Sequence, residues 1–79
     1  MKQNAKAESC LGQRIGKARN AKGLTQEQVV TRLQLRGCDM SRGTYGKIEA
    51  GIRHISVAEL NAIKEVLGMK YEDFFASTT

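Results

Sequence analysis

The sequence predicts an all-α domain of five short helices, and three observations carry that prediction. No proline occurs in 79 residues, so nothing in the chain forces a break in helical backbone. Aromatic residues make up only 5% of the chain, which fits short helices joined by turns better than a strand-rich fold. Four glycines, Gly23, Gly37, Gly51 and Gly68, each fall at the end of a helical pattern, where a glycine closes a helix most easily.

Taken in order, residues 1–8 are polar and lack apolar periodicity, so they read as a flexible lead-in. The first helix is predicted from Ser9 to Ala21, with Leu11, Ile15 and Ala18 recurring at three- and four-residue steps. Thr25-Gln26-Glu27-Gln28 has the form of a capping box and opens a second helix with Val29, Val30 and Leu33 on one face. Ser41 caps a third helix that turns Tyr45 and Ile48 inward and ends near Gly51. Ser56-Val57-Ala58-Glu59 is a second capping box, before a stripe of Val57, Leu60, Ile63 and Leu67. A fifth turn at Tyr71 to Phe75 returns Phe74 or Phe75 to the core, so the domain is placed at residues 9–76 with a loose tail at 77–79.

Thirteen Lys and Arg against eight Asp and Glu give a net charge of +5, which favours a polyanionic partner. At this length a single domain is expected, and nearly every long apolar side chain is needed inside it. Cys10 and Cys38 have no metal-ligand spacing with His54, so no metal and no cofactor is expected, and two reduced thiols fit a cytoplasmic protein. No membrane span is expected, because no apolar run approaches about 18 residues. An enzyme would need convergent acid, base or nucleophile groups, and the single histidine has no such company, so neither catalysis nor a small-molecule substrate is expected. Gly12-Gln13-Arg14-Ile15-Gly16-Lys17 fails as a phosphate loop because it lies inside a helical pattern and lacks the following Ser or Thr. As a close-packing glycine pair of membrane helices it is too polar.

On a wheel with Tyr45 and Ile48 inward, Arg42, Gly43, Gly46 and Lys47 face outward, with Thr44 at the margin. Gly43 and Gly46 each cost about 1 kcal/mol relative to alanine inside a helix. Two accounts offset that: they let the backbone or its neighbours reach a ligand, or they relieve crowding against the second helix.

Gly23-Leu24-Thr25-Gln26-Glu27-Gln28 and Ile48-Glu49-Ala50-Gly51, framed by Leu11-Gly12-Gln13-Arg14-Ile15 and by Leu67-Gly68-Met69 with Tyr71-Glu72-Asp73-Phe74, resemble the Cro/CI-like, or Xre-type, helix-turn-helix regulators. The resemblance implies a compact five-helix, lambda-repressor-like domain with the helix-turn-helix formed by helices 2 and 3. The segment from Leu33 to Asp39 is longer than in the plainest members, which a longer second helix would accommodate. The resemblance further implies sequence-specific binding of double-stranded DNA as a repressor, with the third helix in the major groove. Arg42, Gly43, Thr44 and Lys47 are then the base-reading candidates. Gln26, Ser41 and Arg53 are the phosphate contacts, and Arg19 and Glu49 form a structural ion pair. A homodimer on a palindromic operator is expected, through Met69, Tyr71 and one of Phe74 and Phe75 unless these pack within the monomer. Two rivals stay open: the same fold binding a partner protein, as an antitoxin or anti-repressor does, and a basic first helix lying on a membrane surface.

Overall fold

The computed structural model describes the backbone of residues 2–75 and the side chains of residues 10–74. It contains five helices in the order α1 (Lys2–Ala21), α2 (Gln26–Leu35), α3 (Arg42–Glu49), α4 (Val57–Leu67) and α5 (Tyr71–Phe75), and no strand among the described residues. Met1, the tail at 77–79 and the side chain of Phe75 lie outside the described residues.

Local chemistry sets most of the boundaries. The Thr25 side chain accepts from the Gln28 backbone N–H while the Gln28 side chain accepts from the Thr25 N–H, and Ser56 and Glu59 repeat the arrangement at α4. Each cap contributes about 1 kcal/mol and fixes where a helix begins. Gly23, Gly37, Gly51 and Gly68 all adopt positive φ, between 66° and 86°, a conformation closed to most side chains. α2 stops at Leu35 with Arg36 as its C-cap, and residues 36–41 make the connection to α3.

Two expectations are corrected, one helix boundary and one core position. α1 starts at Lys2, not Ser9, because Lys, Gln, Ala and Glu between residues 2 and 8 are good helix formers and need no apolar face to extend an existing helix. Val57 leaves the predicted α4 stripe and is 75% exposed, while Val66 is buried beside Ile63 and Leu67. At 100° per residue Val57 stands about 120° around the helix from Ile63. Val66 lies three residues from Ile63 and shares its face.

The core draws Ile15 from α1, Val29, Val30 and Leu33 from α2, Tyr45 and Ile48 from α3, and Ile63, Val66 and Leu67 from α4. Met40 from the connection, Met69 and Phe74 complete it, so Met69 and Phe74 belong to the monomer interior rather than to a docking surface. Tyr71 stays half-exposed, its hydroxyl donating to Asn61 and its ring under the Lys64 ammonium. Helix α3 packs against both α1 and α2, α2 also against α4, and α1 against α5. Cys10 is exposed, Cys38 is half-buried, and both are free thiols. No described helix is long and apolar enough to cross a membrane, and no group of described His, Cys, Asp and Glu side chains is arranged to hold a metal ion.

Candidate nucleic-acid interface

Helix α3 is short, and its ends are set by hydrogen bonds. Ser41 caps it by accepting from the Thr44 N–H at 3.1 Å, and its hydroxyl donates to the Thr44 hydroxyl at 3.1 Å. Tyr45 and Ile48 are buried, which turns Arg42, Gly43 and Lys47 to solvent and leaves Thr44 and Gly46 half-exposed. The face presented outward therefore carries two cations and no carboxylate.

A chain of polar contacts ties that face to the other helices. Arg19 of α1 grips Glu49 with two arms, Nε to Oε2 at 2.7 Å and Nη2 to Oε1 at 3.1 Å, and its Nη1 donates to the Leu24 carbonyl at 2.8 Å. The pair is largely shielded, with side chains 14% and 11% exposed. Gln26, at the start of α2, donates from Nε2 to Glu49 Oε1 at 3.0 Å, which leaves its carbonyl oxygen to accept from Arg42 Nη1 at 3.3 Å. One carboxylate thus organises residues from all three helices around α3, and the last link of the chain is the exposed Arg42. Because a guanidinium has five donors, Arg42 keeps most of its fork for a ligand.

The electrostatics match the geometry. Burial pushes the Glu49 carboxyl up, but hydrogen bonds from Arg19 and Gln26, the neighbouring Tyr45 hydroxyl and the charge of Arg19 outweigh it and hold Glu49 below the usual carboxylate range. Burial, followed by the nearby Glu49 carboxylate, pushes the Tyr45 phenol well above its ordinary value, so it stays neutral. The buried Tyr45 hydroxyl makes no hydrogen bond among the described residues, although it lies close enough to Glu49 and Arg19 to feel both.

The glycines divide by what surrounds them. A Cβ on Gly12 would lie 2.3 Å from the Ile48 carbonyl oxygen and 2.5 Å from that of Glu49, so α1 runs directly against the C-terminal end of α3. One turn on, a Cβ on Gly16 would sit 3.1 Å from Glu49 Oε1. Neither contact was visible in the sequence, where this pair suggested only ligand or membrane motifs that fail. Gly46 faces Gln26, with a Cβ there 3.3 Å from Oε1, so here the crowding account holds. Gly43 looks onto open space, its nearest neighbour being Ser41 Oγ at 4.0 Å, and crowding does not explain it.

Arg53 lies apart from this cluster. It forms a two-armed pair with Glu59, at 3.0 and 3.2 Å, and donates to the His54 carbonyl. Glu59 also accepts from the Ser56 N–H, so Arg53 braces the start of α4, a role hidden in sequence because the cap motif names Glu59 and not its cation.

A family profile described as helix-turn-helix domain matches residues 11–73, most of the chain. The chain belongs to the helix-turn-helix domain family. Neither the curated proteins nor the solved structures yield a match. As a helix-turn-helix domain it is a DNA-binding module, and α2, the 36–41 connection and α3 form its central unit. The match runs from α1 into α5, so the flanking helices that hold α3 in place are part of the helix-turn-helix domain itself.

Proposed function

We propose that this chain is a Cro/CI-type transcriptional repressor that binds a palindromic operator as a homodimer, with α3 reading bases in the major groove. The observation that carries the reading is Arg42, exposed at the start of α3 yet tethered through Gln26 to the part-buried Glu49–Arg19 pair. A side chain ordered before binding loses less entropy on contact, and an arginine fork suits guanine O6 and N7. Lys47 lies on the same exposed face, and Thr44 at its edge offers a hydroxyl. Gly43, open to solvent, lets the helix backbone approach the duplex.

Phosphates are met at the helix starts. Ser41 stands at the N-terminus of α3 and Gln26 at that of α2, where unpaired N–H groups and the helix dipole favour an anion. Gln26 keeps one amide hydrogen beyond the one given to Glu49. Arg53 reaches a phosphate with Nε and one Nη2 hydrogen, the donors that Glu59 and the His54 carbonyl leave over.

Selection from a randomised duplex pool, with sequencing and a salt series, tests the reading. Wild type is expected to enrich a two-fold symmetric motif. Arg42→Ala should relax one position in each half-site, at about 1–3 kcal/mol per lost bidentate contact. Failure to retain duplex even at low salt would sink the proposal and direct the search to a protein partner.

Gly43→Ala separates folding from binding. Its added methyl meets open space, so urea unfolding should show a gain of about 0.5–1 kcal/mol from helix propensity. Affinity for the selected duplex should fall in the same variant. Unchanged affinity would remove Gly43 from the interface.

A further inference from the structure

The polar side chains that α3 turns outward offer donors and almost no acceptors. Arg42 and Lys47 are exposed and can only donate. The Thr44 hydroxyl already accepts from Ser41 Oγ at 3.1 Å, which leaves its own hydrogen to be given to a ligand. Acceptors nearby are taken up by the protein itself. The Glu49 carboxylate is turned to Arg19 and Gln26, and the Gln26 carbonyl oxygen to Arg42. Between Ser41 and Ile48 the sequence holds no Asn, Gln, Asp or Glu, and Gly43 and Gly46 add no side chain at all.

We infer that each operator half-site is built on two G·C pairs, one met by Arg42 and one by Lys47, set about one to three base-pair steps apart. The inference rests on the operator-binding reading above and names the bases which that reading leaves open. In the major groove guanine presents two adjacent acceptors, O6 and N7. Adenine sets its N6 donor beside N7, so a group that only donates is welcomed at one atom and opposed at the next, and thymine offers O4 alone. Selecting adenine takes a side chain that donates and accepts together, Asn or Gln, and this face has neither. The spacing follows from the helix. Five residues at about 1.5 Å put Arg42 and Lys47 roughly 7.5 Å apart along the axis, about two steps of 3.4 Å, and the reach of two long side chains widens that by about one step either way. The two contacts differ in strength. Arg42 gives one hydrogen to Gln26, which holds its fork in place, and keeps the other Nη1 hydrogen and both on Nη2 for O6 and N7. Lys47 carries a compact point charge on a flexible stem, so its preference is the weaker of the two. Whatever lies between the guanines is left to Thr44, whose hydroxyl suits either kind of pair.

The test takes the duplex enriched from the randomised pool and replaces each guanine in turn. 7-Deazaguanine keeps Watson–Crick pairing and lacks N7, while inosine keeps O6 and N7 and lacks only the minor-groove amino group. Affinities are measured for wild type, Arg42→Ala and Lys47→Ala, with the fold of each checked by urea unfolding. Each half-site of the enriched motif should hold two G·C pairs at that spacing. 7-Deazaguanine at one of them should cost wild type about tenfold in affinity and Arg42→Ala nothing further. At the other it should cost wild type about threefold and Lys47→Ala nothing further. Inosine should leave binding within about twofold at both, since the minor groove is not read. Three results would overturn the inference while the operator reading stands: a motif whose preferred positions are all A·T pairs, wild-type binding indifferent to 7-deazaguanine at every guanine, or a loss that persists undiminished in both variants. Duplex retained without any enriched motif, or none retained at low salt, fails the operator reading itself and the inference with it.

Discussion

Replacing Gly12 by alanine is expected to destabilise the domain by about 3 kcal/mol, the scale of a forced overpacking at a rigid contact. Helix propensity alone predicts the opposite sign, because alanine in place of a mid-helix glycine gains about 1 kcal/mol. The contact decides. A methyl at Gly12 would meet the carbonyl oxygens of Ile48 and Glu49 at 2.3 and 2.5 Å, and both are backbone atoms that no rotamer change can move. The only relief is to shift α1 away from α3. Ile15, Gly16 and Arg19 follow Gly12 along the same face of α1, so that shift also loosens the Ile15 packing and the Arg19–Glu49 bridge. At about 0.05–0.15 kcal/mol per residue, a domain of this size has little stability in reserve. Urea unfolding of Gly12→Ala beside Gln13→Ala, an exposed neighbour, checks the argument. A Gly12→Ala protein as stable as wild type would show that α1 and α3 do not touch as described.

That glycine also marks the boundary of what the sequence could say. The capping boxes at Thr25 and Ser56 and the glycines at 23, 37, 51 and 68 were readable because each is a local signal, completed within three or four residues. The exposed face of α3 was readable for a similar reason, since Tyr45 and Ile48 fix the helix rotation and Arg42 and Lys47 follow from it. Contacts between distant residues were not. Gln26 meets Glu49 across 23 positions, and nothing in the Thr25-Gln26-Glu27-Gln28 motif announces that its amide will carry Arg42. Gly12 in a helix pattern reads equally as weakness, as a ligand loop or as a close approach, and only its neighbour in space chooses among them. Val57 and Val66 show the same limit in the core. Both are apolar and near the α4 stripe, but the choice between them depends on where the other helices leave room.

Glu49→Ala is expected to weaken the fold by about 3 kcal/mol, as removal of one partner from a shielded ion pair strands the other. Here two groups are stranded: Arg19, only 14% exposed, and the Gln26 amide, which would lose the acceptor that orients it toward Arg42. Glu49→Gln separates charge from shape. It keeps the size and one acceptor oxygen, so the loss that remains reports the carboxylate charge. The pH dependence gives a second check with a definite sign. Because the folded-state Glu49 carboxyl lies below its ordinary value of 4.5, the unfolded chain takes up a proton first as acid is added. The stabilisation is therefore fully present above about pH 4.5 and is lost as pH falls through the lower, folded value. Glu59 is shifted the same way, by Arg53 first and then the Ser56 N–H, and steepens the same acid limb in wild type and variant alike. Subtracting the Glu49→Gln stability curve from that of wild type cancels the Glu59 contribution. The difference should be constant from pH 7 to about pH 5 and shrink below 4.5. A difference that held constant into the acid range would mean that Glu49 carries no charge-dependent stability.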